Sequence, residues 1–121
     1  MYRHPDYVGQ GWTDVEERFA TMVRRIDTAI GDLLQTLRDL EIDDDTLVVL
    51  SCDNGPHHES YLRDQDGKRV SYTPQSFQSY GHFDGTKRDV WEGGIRVGSL
   101  ACWPSKIAPG SVDNTPSQFH D

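Results

Sequence analysis

Thr46-Leu47-Val48-Val49-Leu50-Ser51, running into Cys52-Asp53-Asn54-Gly55, is the stretch whose reading decides the fold. It is rich in β-branched and aliphatic residues without strict polar alternation, the pattern of a buried central strand of a parallel sheet covered on both faces. Asn-Gly alone signals a hairpin turn. A hairpin needs a second alternating strand, however, and Pro56-His57-His58-Glu59-Ser60 is polar and begins with a residue that cannot donate to a ladder. The strand therefore feeds a loop. In open α/β sheets ligands collect beyond the carboxyl ends of the strands, where Asp53 and Asn54 stand. A carboxylate beside an amide carbonyl offers hard oxygen donors, suited to Ca²⁺ or Mg²⁺ rather than to a soft metal.

Upstream, Thr13-Asp14-Val15-Glu16 has the spacing of a capping box. Phe19, Met22, Val23, Ile26, Ile30, Leu33, Leu34, Leu37 and Leu40 then recur at three-and-four spacing, which predicts a helix from about Asp14 to Leu40, on the order of 40 Å long. Such an apolar stripe needs a sheet or other helices to cover it. Gly31 within it is expected to mark close packing. Residues 1–12 read as irregular, and Asp43-Asp44-Asp45 as a solvated helix-to-strand turn rather than a metal site. Helix followed by buried strand implies an α/β unit.

From Gly55 to Gly94 the chain is polar, with no sustained period; a second strand is expected over Ile95 to Trp103. Cys52 and Cys102 each sit in or beside a strand segment, so both are expected as buried, inert thiols. The 121 residues suit one small domain, and 35% hydrophobic content is compatible with a core. A net charge of −8 with no basic stretch argues against nucleic acid as a partner. No apolar run approaches a membrane span, and the first residues lack the apolar core of a signal peptide.

Four blocks, taken in order, resemble the sulfatase family: Phe19 to Asp27, Leu47 to Gly55, Gly85-Thr86-Lys87 leading into Trp91 to Val97, and Trp103-Pro104 with Ile107 and Gly110. The resemblance implies an α/β, alkaline-phosphatase-like fold and an enzyme that hydrolyses sulfate esters of small molecules or carbohydrates. It implies that residues 1–121 are a partial catalytic domain, its later part, beginning and ending mid-domain. It places Asp53 and Asn54 on a divalent cation, Ca²⁺ with Mg²⁺ as the alternative, and Lys87 against the sulfate, where a compact ammonium suits developing charge. His57 is a further candidate for lining the substrate pocket. The family's remaining acidic ligands and its formylglycine nucleophile are expected upstream of this chain, so the chain alone is expected to be inactive. A phosphodiesterase or phosphonate hydrolase of the same superfamily, or a non-catalytic remnant, is the alternative reading.

Other residues carry less. Cys102-Trp103-Pro104-Ser105-Lys106 imitates the Cys-x-Pro-x-Arg segment from which formylglycine is made, but Lys106 replaces the arginine, and the position matches a late family strand. His57, His58 and Glu59 are adjacent in a loop, where neighbouring side chains point apart and no fourth zinc ligand is specified. His82 precedes the lysine segment with no pattern to fix its role. Glu92-Gly93-Gly94-Ile95-Arg96 reads as structural, with glycines permitting tight turns and Glu92 pairing with Arg96.

Overall fold

The structure, a computed structural model, describes residues 2–58, 63 and 66–118. Helix α1 spans Asp14–Asp39 and strand β1 spans Val48–Ser51; a single helical turn, α2, spans Glu92–Ile95 and leads to strand β2, Ser99–Cys102. Glu59, part of the discounted zinc cluster, lies outside the described residues.

The capping box forms as its spacing requires. The Glu16 N–H donates to Thr13 Oγ1 at 3.3 Å, and the Thr13 N–H donates to Glu16 Oε2 at 2.7 Å. Two backbone donors that the helix cannot satisfy internally are thereby satisfied. The Ser76 hydroxyl and the Thr13 backbone hold the Glu16 carboxyl below its ordinary pKa. The segment before α1 is tied down by a carboxylate that the periodicity does not single out. Glu17 is buried, accepts from the Gly9 N–H at 3.1 Å, and pairs with Arg3 at 2.9 Å. The His4 N–H donates to Thr21 Oγ1 at 2.8 Å.

One end of the apolar stripe is covered by aromatic residues, and the rest is covered only in part, with Ile30, Leu34 and Leu37 half-buried. Phe19 stacks on Tyr72 with ring centroids 4.1 Å apart, and Trp12 meets Phe77 edge-on at 4.9 Å. Tyr72 and Pro74 are buried there, although their polar surroundings in the sequence show no period. Burial also raises the Tyr72 phenol pKa. Farther along α1, Ile26 and Leu33 remain about half exposed, at 53% and 51%. A Cβ added at Gly31 meets nothing within 4 Å, so the close packing expected at that glycine is absent among the described residues.

The two strands depart from expectation in four ways. β1 and β2 pair antiparallel, Val48 opposite Cys102 and Ser51 opposite Ser99, so the expected mainly parallel sheet is not seen in this two-stranded sheet. The cause lies just outside the pair: the Gly55 N–H, beyond the end of β1, donates to the Gly94 carbonyl, before the start of β2. The second strand must then start where the first ends. The first strand is not buried on both faces either, since Val49 is 58% exposed and no layer among the described residues covers it. For the same reason Cys52 and Cys102 are both exposed free thiols, not buried ones. The second strand is also shorter than expected, Ser99–Cys102 in place of Ile95 to Trp103, with Ile95 ending α2 and residues 96–98 linking the two elements.

Candidate functional site

Three separated pieces of sequence meet in a backbone crossing. The loop after β1 brings the Gly55 N–H to the Gly94 carbonyl at 2.8 Å, and the Pro56 carbonyl to the Lys87 N–H at 2.9 Å. The Gly93 N–H donates to the Asp84 carbonyl at 2.7 Å. These contacts are possible because no side chain stands in the way. A Cβ on Gly55 would lie 1.9 Å from the Gly93 carbonyl oxygen, and one on Gly93 would lie 2.3 Å from that of Gly85. Backbone groups approach closely only where glycine leaves the space.

The crossing orders the candidate residues. Asp53 is exposed just beyond β1, while Asn54 and His57 are half-buried in the loop that follows. Lys87 is half-buried in the facing turn, keyed through its N–H to Pro56. Among the described residues the side chains of Asp53, Asn54 and Lys87 have no hydrogen bond or ion pair, so their donors and acceptors are free for a ligand. The donor chemistry at Asp53 and Asn54 fits a hard cation, which commonly gathers about six to eight oxygens when it is Ca²⁺. Two residues supply a minority of those, and no group of three His, Cys, Asp or Glu able to hold a metal occurs among the described residues.

The turn that carries Lys87 has its own construction, which reading the sequence did not single out. The Asp89 N–H donates to the Thr86 carbonyl at 2.9 Å, and Asp89 Oδ2 accepts from the Thr86 N–H at 2.8 Å and from Thr86 Oγ1 at 3.3 Å. Arg88, within this turn, has φ +83°. That is the third-residue geometry of a type II turn, where glycine is usual, and a non-glycine residue held there costs on the order of 1–3 kcal/mol. The only signal in the sequence is a Thr three residues before an Asp, a weak mark of a side-chain-closed turn.

Beside the crossing, an open cavity of about 540 Å³ is lined by His82, Phe83, Asp84, Trp91, Glu92 and Arg96. None of Asp53, Asn54, His57 or Lys87 lines it. Glu92 and Arg96 pair at 3.1 Å as the sequence leads one to expect, and the Arg96 guanidinium sits 4.9 Å from the Phe83 ring centroid. Both partners of the pair are largely exposed, so it contributes little to stability. His82 packs on Phe83, with ring centroids 4.1 Å apart.

Comparisons with known proteins place the sequence among sulfatases. The chain is 33% identical to the steryl-sulfatase of Rattus norvegicus over 120 residues, covering 99% of this chain and 19% of that protein. It is 33% identical to the N-acetylgalactosamine-6-sulfatase of Homo sapiens over 121 residues, covering 100% and 20%. With the N-acetylgalactosamine-6-O-sulfatase of Bacteroides thetaiotaomicron it shares 28% over 117 residues, covering 96% and 21%. The chain thus spans about a fifth of the length of these relatives. No solved structure matches it significantly. The family described as Sulfatase matches residues 3–121, and on that match the chain belongs to the sulfatase family.

Proposed function

We propose that this chain supplies part of the catalytic centre of a sulfuric ester hydrolase, acting on a sulfate ester of a carbohydrate or a steroid. The observation that carries the reading is the backbone crossing, in which the Lys87 N–H to Pro56 bond sets the turn bearing Lys87 against the loop bearing Asp53, Asn54 and His57.

In this reading Asp53 and Asn54 are ligands of Ca²⁺ or Mg²⁺, and His57 lines the pocket for the substrate. When bound, such a cation neutralises sulfate oxygens and polarises the sulfuryl group. Lys87 donates to a sulfuryl oxygen. As negative charge builds on the sulfuryl and leaving oxygens, the ammonium interacts more strongly than in the ground state, and that difference lowers the barrier. The turn around Lys87 holds the group in advance, so little reorganisation is spent at the moment of reaction. The formylglycine nucleophile typical of the family belongs to a segment outside these 121 residues.

The test uses the complete protein that carries this chain. Removing one preorganised donor typically costs about 10²–10³ in kcat, so Lys87→Ala should lower turnover of a sulfate ester by that much with bound metal unchanged. Asp53→Ala should instead lower the metal content measured by elemental analysis. Near wild-type kcat/KM in Lys87→Ala at normal metal occupancy would assign Lys87 to the surface and overturn the reading.

A further inference from the structure

The turn from Thr86 to Asp89 spends a carboxylate on holding its own backbone. Asp89 Oδ2 takes both the Thr86 N–H, at 2.8 Å, and the Thr86 hydroxyl, at 3.3 Å, while the Asp89 N–H returns to the Thr86 carbonyl at 2.9 Å. These contacts close the turn across the two residues between them, Lys87 and Arg88. One of those two is under strain, Arg88 at φ +83°. Strain of this kind persists only where the surroundings over-determine the conformation, and it concentrates at sites of function. The other, Lys87, has its N–H fixed to the Pro56 carbonyl at 2.9 Å, so its Cα is set from both sides. Among the described residues Arg88 enters no hydrogen bond or ion pair that would itself explain the strain.

We propose that Asp89 is the positioning residue for Lys87, its carboxylate holding the strained turn in the form that aims the ammonium. This rests on the proposed role of Lys87 at the sulfuryl group. Asp89 touches neither substrate nor metal in this scheme; it acts on the Thr86 backbone. An acceptor oxygen at that place is what the turn requires, and the negative charge is secondary. Asn, which keeps the acceptor and loses the charge, should therefore serve. A glycine at position 88, which adopts positive φ without strain, should relieve the need for the carboxylate.

The experiment is a double-mutant cycle on sulfate-ester hydrolysis in the complete protein, with thermal unfolding followed in parallel. Asp89→Ala should lower kcat by about 10-fold to 10²-fold, the scale on which small misplacements of a catalytic group cost, with KM little changed. Asp89→Asn should restore most of it, and Arg88→Gly introduced into Asp89→Ala should recover part. Lys87→Ala combined with Asp89→Ala should be no slower than Lys87→Ala alone, because a positioning residue has nothing left to position. Additive losses, failure of Asp89→Asn to exceed Asp89→Ala, or undiminished kcat in Asp89→Ala while Lys87→Ala is impaired would each overturn the inference. Undiminished activity in Lys87→Ala would instead remove the reading of Lys87 on which it stands.

Discussion

The aromatic group over the first turns of α1 and the glycine crossing beyond β1 hold the chain together in opposite ways. Around Phe19, Tyr72, Phe77 and Trp12 the contacts are between side chains, with ring centroids 4.1 Å apart for Phe19 and Tyr72. Around Gly55, Gly93 and Gly94 the contacts are between backbones, and the side chains are missing because there is no room for them. Apolar packing of the first kind tolerates replacement by similar volume. Packing of the second kind tolerates none. The region that presents the candidate site is therefore the one with least freedom to vary, and the region that anchors the helix has more.

The largest expected effect breaks the crossing. Gly55→Ala puts a methyl group 1.9 Å from the Gly93 carbonyl oxygen, where a fixed backbone and not a flexible side chain must move. We expect a loss of about 3–5 kcal/mol in chemical unfolding, near the upper end for single substitutions, together with loss of activity in the complete protein. A stability within about 0.5 kcal/mol of wild type would show that the crossing yields easily, and the contrast between the two regions would collapse.

The next effect measures the aromatic side of the comparison. Phe19 is half-buried, so Phe19→Ala should cost about 2–3 kcal/mol, below the roughly 3–5 kcal/mol usual for a fully buried ring. Phe19→Leu should cost less than about 1.5 kcal/mol. This graded response is what side-chain packing allows and what Gly55 does not. Equal losses for the two Phe19 variants would mean that ring stacking on Tyr72, rather than apolar volume, carries the contact.

The smallest effect is on pH. The folded-state pKa of Glu16 lies below its ordinary value, chiefly through the Ser76 hydroxyl and the Thr13 backbone. A carboxylate of depressed pKa contributes stability that is present above its unfolded pKa, about 4.3, and is lost as pH falls through the lower folded value. Stability should thus decline with acid in that window, and Glu16→Gln should flatten the decline. Because Ser76 stands beside Phe77 of the aromatic group, an unchanged acid profile in Glu16→Gln would uncouple the helix cap from that group.

What could be read in advance follows the range of the interaction. Thr13 and Glu16 interact across three residues, and Glu92 and Arg96 across four, so both pairs could be read from spacing and both form. The placement of Asp53 and Asn54 just after a strand was equally legible, because a strand end is a local event. The partner of that strand was not. Its direction is set by the Gly55 to Gly94 contact, which no local pattern encodes. Exposure of Cys52 and Cys102 was missed because burial depends on which layers cover a strand, and apolar character speaks only to what a strand could bury. Tyr72, Pro74 and Phe77 lie in a segment without period, so nothing in their spacing pointed to α1 as their partner.

By itself the sequence determined the helix, its cap, the first strand and the four ordered blocks that mark the family, since each is written in neighbouring residues as a period, a cap or a motif. The tertiary structure alone decided that the strands run antiparallel, that aromatic residues from an irregular segment cover the start of the helix, and that a turn held by Asp89 carries Lys87 against the loop of Asp53. Those outcomes depend on backbone and side-chain groups that are distant in the chain finding room for one another. Room is a property of the folded chain and not of any one stretch of it.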